Sequence, residues 1–352
     1  MKIAKATRQY EEWLGGRLRL IPEDLDFKHQ QMRTGVFPFL RATYYRWAQT
    51  WRDVVDDDAG GPSVLGVGDL HVENFGTWRD CDGRLIWGVN DFDEASRLPY
   101  SSDLIRLATS ALLAQLKVDR KAGTAAILQG YGAALERGGR PFALAEHHTA
   151  LRKMATERLH DPEGYWAKVH ELPVWTEEIP RSAARAIDNA MPERGMRMKV
   201  SHRRAGLGSL GRERYVGVAQ WRGGSVAREV KALAPSACVW ADGARSGDIL
   251  YSETLQCAVR CPDPFVRVEK RWVVRRLAPD CSRIELSALP KEHDELKLLH
   301  AMGWETANIH IGSAKPAKLA ADLAKRRRGW LLDAAQKMER AVLVDFEAFA
   351  AL

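Results

Sequence analysis

The sequence predicts an α+β protein: a helical block, a small sheet-rich insert, then a helical tail. Three observations point there. In DLIRLATSALLAQLKV the apolar residues Leu104, Leu107, Ala108, Ala111, Leu112 and Leu116 recur at helical spacing. Between 199 and 277 the texture changes to strand-like runs joined by glycine turns. After Pro290 the helical period returns and holds to the end. The expected division is 1–198 for the first part of a large helical lobe, 199–283 for a small β-rich lobe, and 284–352 for the helical remainder.

Along the chain, 22–34 and 38–54 read as helices that open on prolines at first-turn positions. SVLGVGD predicts a strand entering a glycine-bounded motif, and RLIWGVNDFD a second strand entering an acidic cluster. TWRDCDG between them carries the Asp-Gly of a tight turn. Ser101 or Ser102 is the expected N-cap of the next helix. Further helices are expected over AGTAAILQGYGAALERG and ALAEHHTALRKMATERLH. In the insert, ERYVGVAQW and VAREVKAL form a hairpin around RGGS, FVRVEKRWVVRRL supplies two short strands, and GDILYSETLQCAV is helical.

Composition excludes several function classes. Apolar residues make up 45% and charged residues 28% of 352 positions, ordinary values for a folded chain with a substantial core. The five cysteines include no C-x-x-C, which argues against a zinc site and fits a reducing compartment better than a disulfide framework. No apolar run approaches the roughly 18 residues of a membrane span, and no signal peptide is evident, so a cytoplasmic location is expected. Net charge is +7, with KRRR at 325–328. That cluster reads as a solvated helix face rather than a nucleic-acid contact, since no nucleic-acid motif accompanies it. The twelve tryptophans are scattered from Trp13 to Trp330, as core residues are.

The chemistry concentrates in GDLHVENFG, 68–76, and NDFDEA, 90–95. Phosphoryl transfer from ATP requires a carboxylate near the acceptor hydroxyl, hard oxygen ligands for magnesium and donors that hold the phosphates. Asn74, Asp91 and Asp93 offer the metal oxygens, which leaves Asp69 free to deprotonate or orient the acceptor. His71 either bonds a loop carbonyl or supports Asp91. An isolated Asp or Asn in such a loop ordinarily caps a turn; the combined spacing is what argues for a site. Phosphate donors are expected at AGLGSLGRERYVGV, where Gly206, Gly208, Ser209 and Gly211 form G-x-G-x-x-G. A strand and hairpin follow it, not a helix, which argues against a dinucleotide site and for a flap over phosphates with Lys231 beside it. Glu253 either positions the Lys231 ammonium or is an exposed helix charge.

These stretches resemble the catalytic and metal-binding core of kinase-like small-molecule phosphotransferases of the aminoglycoside and choline kinase kind. The resemblance implies a two-lobe kinase-like fold, ATP and Mg2+, with Asp69 as base, Asn74 and Asp91 as metal ligands, and Asp103 as the buried aspartate that braces the catalytic loop. The histidine usual before the glycine is Val67 here. The glycine loop and lysine follow the catalytic loop instead of preceding it, so the resemblance implies a circular permutation, with RWVVRRLAPD as the last strand and hinge and 292–312 as the helix that normally leads into the catalytic loop. The chain is also similar to an uncharacterised bacterial family, domain of unknown function 2252, at PFLR, GDLHVENFG, NDFDEA, GLGSLG, EVKAL, VVRRL and ANIH. Within these, Arg41 faces phosphate or forms a structural salt bridge, and His310 has no assigned role. The expected function is γ-phosphoryl transfer from Mg-ATP to a hydroxyl of an unidentified small-molecule or protein acceptor. A nucleotide-binding pseudokinase and an AMP transferase on the same fold are the alternatives.

Overall fold

A computed structural model describes residues 1–144, 148, 151–153, 161–281 and 292–352. Helices α1 (Ile3–Gly15), α2 (Pro22–Met32), α3 (Val36–Ala42) and α4 (Tyr44–Val55) come first. Strands β1 (Ser63–Gly66), β2 (Phe75–Arg79), β3 (Leu85–Val89) and β4 (Ser96–Pro99) follow, then α5 (Tyr100–Leu113) and α6 (Arg120–Arg137). Next are β5 (Phe142–Ala143), α7 (Pro162–His170) and α8 (Arg181–Ala190). The insert contains β6 (Lys199–His202), β7 (Arg214–Trp221), β8 (Gly224–Ala232), α9 (Ala237–Ala241), α10 (Tyr251–Cys257), β9 (Arg267–Glu269) and β10 (Trp272–Leu277). Helices α11 (Glu292–Ile311), α12 (Pro316–Lys325) and α13 (Trp330–Ala350) end the chain.

The fold is mixed α+β with several small sheets. The insert forms one antiparallel five-stranded sheet in the order β6-β7-β8-β10-β9. Its central hairpin turns at Arg222 and Gly223, both at positive φ, in the RGGS stretch. Elsewhere β1 pairs with β4, and β2 makes a hairpin with β3. FGTWR, for which no strand was expected, is itself a strand and takes 85–89 as its partner. The acidic cluster sits between β3 and β4, so strand ends from two small sheets face each other there.

The long segment expected over 38–54 breaks at Thr43 into α3 and α4. Helix α5 begins at Tyr100 with no side-chain cap, and Ser101 donates instead to the carbonyls of Ala59 and Gly60 at 3.2 and 2.9 Å. Most of the helix expected over 143–160 lies outside the described residues. Helices α6 and α11 touch backbone to backbone: a Cβ on Gly130 would lie 1.8 Å from the His300 carbonyl oxygen, and one on Gly303 2.0 Å from that of Ile127.

A large core joins the helices to one face of the sheet and includes the fully buried Trp51, Trp87 and Trp272. A second, separate cluster places Val169 of α7 on Val216, Val218 and Ala227. The KRRR stretch is tied into the fold. Arg326 donates to the Asp58 carbonyl at 2.9 Å and lies over the Trp330 ring, and Arg327 pairs with Asp58 at 3.2 Å. No described helix is long and apolar enough to cross a membrane.

Candidate functional site

The turn after β1 places Asp69 at the mouth of a cleft because its backbone is clamped from below. Asp103, one turn into α5 and buried, accepts from the Val67 and Gly68 amides at 2.7 and 2.9 Å. His310, buried near the end of α11, bonds Asp103 through Nε2 at 3.0 Å, and its Nδ1 lies 3.0 Å from the Tyr131 hydroxyl. A hydroxyl donor at Nδ1 and a carboxylate acceptor at Nε2 together select the Nε2–H tautomer. His310 thus supplies, from the far end of the chain, support for Asp103 and the loop that Asp103 clamps.

Asp69 pairs with the buried Arg106 at 2.5 Å, and the same guanidinium nitrogen donates to the Leu40 carbonyl at 2.8 Å. Arg106 also stands 4.7 Å over the Trp47 ring. Burial pushes the Asp69 carboxyl up, with the Arg106 charge opposing. Asn74 knits the two acidic loops together. Its Nδ2 donates to the Asp69 and Asp91 carbonyls at 3.2 and 3.0 Å, and its Oδ1 accepts from the Asp91 amide at 2.9 Å. Each end of the carboxamide is engaged with backbone, so Asn74 braces the two acidic loops. His71 is buried, and its Nδ1 accepts from the Glu73 amide at 3.2 Å. Arg41 lines the cleft and forms an ion pair with Glu73.

The acidic cluster faces the sheet. Lys231 on β8 reaches Asp91 Oδ2 at 3.0 Å and also pairs with Asp93. Burial favours the neutral form of both carboxyls, but Lys231 and Arg275 hold Asp91 well below the usual carboxylate range. Asp93 instead is pushed up to about 6 by burial and by the Asp91 charge. Arg212 stands 3.7 Å from Asp93 and pairs with Glu94 at 2.8 Å. Asp93 Oδ2 meets the Lys231 ammonium, whereas Oδ1 has no hydrogen-bond partner among the described residues. Hard oxygens such as those of Asp91 and Asp93 suit magnesium.

Gly206, Gly208 and Ser209 line the same cleft, over Asp69 and Asp91. A Cβ at Gly208 would lie 3.0 Å from the Arg41 carbonyl oxygen and 3.3 Å from Asp69 Oδ2, so this loop lies against the catalytic-loop candidate. Gly206 and Gly211 both take positive φ, which glycine permits without strain. Helix α2 latches the loop down. Lys28 donates to the Gly208 carbonyl at 3.1 Å, the Ile21 amide to that of Gly211 at 2.8 Å, and Asp24 binds His202 and Arg204 at 3.0 and 2.7 Å. From the sheet side, Arg214 donates to Ser209 Oγ at 2.9 Å and is held by Glu229 at 2.6 Å. The free space in the cleft is about 50 Å³.

The structure thus brings together Asp69, His71, Asn74, Asp91, Asp93, Gly206, Gly208, Ser209 and Lys231. Gly211, at the loop's far end, lies so close to Leu25 that a Cβ there would come within 2.4 Å of that side chain. Glu253 is elsewhere: exposed, it pairs with Arg97 at 2.7 Å. Helix α10 buries Tyr251 and Thr254, so the helical period turns Glu253 toward solvent, and Asp91 and Asp93 meet the Lys231 ammonium instead. Sequence reasoning missed Arg106, Arg212 and Lys28. Arg106 is visible as one turn after Asp103 and Arg212 as the residue after Gly211, whereas Lys28 carries no signal.

A protein-family model now bears on these residues. The model of an uncharacterized protein conserved in bacteria (DUF2252) matches residues 19–168. That span holds Lys28, Arg41, the 67–74 loop, Asp91, Asp93, Asp103 and Arg106, while the glycine loop, Lys231 and His310 lie beyond it. No curated protein and no solved structure matches the chain. Among the described residues no group of three His, Cys, Asp or Glu side chains is arranged to hold a metal ion. Magnesium bound with phosphate needs only one or two protein carboxylates, which Asp91 and Asp93 offer.

Proposed function

We propose that this protein is an ATP-dependent phosphotransferase with a circularly permuted, kinase-like arrangement, transferring the γ-phosphoryl group to an acceptor hydroxyl. One observation carries the reading: Lys231 meets Asp91, 140 positions away in the chain, under a glycine-rich loop that also covers Asp69. Kinases place a G-x-G-x-x-G loop over the phosphates and a lysine on the third strand of the small-lobe sheet. Here the loop joins the first and second strands of the five-stranded sheet in chain order, and Lys231 lies on the third. The permutation is supported at the junction it requires. The chain leaving α11 meets β1, where the Leu65 amide donates to Ser313 Oγ at 2.7 Å.

Mg-ATP supplies the phosphoryl group, and its cation neutralises the phosphate oxygens. Asp91 and Asp93 are the side chains that would hold the cation, and Asn74 fixes their loop to that of Asp69. Lys231 now occupies the position between the two carboxylates; with the cation there, its ammonium is free to turn to phosphate. The glycine loop must lift to admit a nucleotide, and its amides then face the phosphates. Asp69 accepts the proton of the acceptor hydroxyl. Burial makes it a better base than a free aspartate, and Arg106 keeps it ionised and oriented.

Incubation of the purified protein with ATP labelled at either the γ- or the α-phosphate, over pools of small metabolites and of proteins, tests the reading. It predicts transfer of the γ-label to an acceptor. Transfer of the α-label alone would replace it with AMP transfer, and nucleotide binding with neither transfer would replace it with a pseudokinase.

A further inference from the structure

Asn90 and Phe92 alternate with Asp91 and Asp93 and look the other way, into a cavity of about 500 Å³ that shares no lining residue with the cleft. Its walls are largely apolar and aromatic, from Trp78, Phe92, Tyr251, Leu255, Val266 and Val268. The size and composition are those of a small-molecule site.

Its polar side chains, Asn90, Ser252, Gln256, Arg260, Asp263, Arg267 and Arg275, are unequally engaged. Arg275 is engaged with the carbonyl and side chain of Asn90. Arg267 pairs with Glu269. Burial pushes the Asp263 carboxyl up, toward its neutral form. Arg260 differs from all of these. Its guanidinium lies over the rings of Trp78 and Phe92 at 4.5 and 5.2 Å, with Nε and Nη1 buried and without hydrogen-bond partners among the described residues. Burying such donors unpaired is costly, and a charged guanidinium more so. The two rings cover its faces and Nε and Nη1 are closed off from the cavity, which leaves Nη2 as the nitrogen that a carboxylate held there can meet.

We propose that this cavity is a binding site for a small amphipathic anion, an aromatic or aliphatic carboxylate whose apolar body fills the Trp78–Phe92–Leu255 walls while its charge meets Arg260. The occupant abuts the backbone that carries Asp91 and Asp93, but the site stands apart from any nucleotide chemistry, and its test requires no turnover.

The test is calorimetric titration of the full chain with 1-naphthoate, with neutral 1-naphthalenemethanol and with cationic 1-naphthylmethylammonium. The expected result is one saturable site for naphthoate, with the alcohol at least about tenfold weaker and the cation weaker still. Arg260→Met, which keeps the apolar stem, should reduce naphthoate to the affinity of the alcohol and leave the alcohol unchanged. Leu255→Trp, which fills the cavity and leaves Arg260 in place, should remove both, and it serves as the localising variant if the first does not fold. Equal binding of the three probes, naphthoate affinity unchanged in either variant, or no saturable binding of naphthoate up to millimolar concentration would overturn the proposal.

Discussion

Replacing Asp93 with asparagine should make the nucleotide-free protein more stable while destroying its affinity for magnesium nucleotide. Asp93 titrates near 6 in the fold against an ordinary value of 3.8, because burial and the Asp91 charge disfavour its ionised form. A raised carboxyl pKa contributes stability that is present below the unfolded value and lost as pH climbs to the folded one. The shift of about two units corresponds to roughly 3 kcal/mol lost by pH 7.5, but only about 1 kcal/mol at pH 4.5. Asparagine reproduces the neutral form without the ionisation. Asp93→Asn should therefore exceed the wild type by roughly 3 kcal/mol at pH 7.5, the gap narrowing to about 1 kcal/mol at pH 4.5. Urea titrations at the two pH values measure this, and addition of Mg-ATP should stabilise the wild type alone. A variant less stable than wild type at pH 7.5, or a pH-independent gap, would refute the reasoning, because Asp93 would then be contributing as a satisfied ion pair to Lys231.

The remaining expectations follow from the same geometry. Divalent cation affinity, read with Mn2+ by calorimetry, should rise as pH climbs through about 6, because protons compete for Asp93 below that value; a flat profile from pH 5 to 8 would remove Asp93 from the metal set. Asp69→Asn should retain the nucleotide-induced rise in melting temperature and lose turnover by about 10²-fold or more, and wild-type turnover would remove Asp69 as the base. Asp103→Ala leaves the Val67 and Gly68 amides and His310 Nε2 unpaired in the interior, so it should cost about 3–5 kcal/mol in chemical denaturation; a loss under about 1 kcal/mol would mean the loop is held by other contacts. Glu253→Gln should leave nucleotide affinity unchanged, since its partner is the exposed Arg97.

Much of the site was readable because its chemistry is local in sequence. Asp69, Asn74, Asp91 and Asp93 fall within two short loops, and the glycines and Lys231 within one hairpin and its approach. Their side-chain types and spacing mark them as one candidate site without knowledge of the fold. What escaped was long-range. Arg106 and Lys28 are cations that burial makes important; Arg106 follows Asp103 by one turn, but nothing in the neighbours of Lys28 announces that it ends at Gly208. His310 was noticed but unassigned, because its partner Asp103 lies 207 positions away. Glu253 failed for a different reason: a helical acid near a strand lysine in order along the chain is set by helix phase, which one residue of rotation reverses. In the fold, the strand FGTWR was missed because its aromatic and arginine ends gave no clear alternation, although the Asp-Gly turn beside it was seen. The N-cap expected at Ser101 or Ser102 fell to tertiary contacts, with Ser101 drawn to the Ala59–Gly60 carbonyls.

The central claim is that one bound triphosphate and its cation draw on both the flap and the acidic loop. Calorimetric titration with Mg-ATP, run on the wild type and on Asp91→Ala and Lys231→Met, reads it most directly. Saturable binding by the wild type that falls by at least about tenfold in each variant is the predicted result. No binding by the wild type, or binding indifferent to both substitutions, would contradict it.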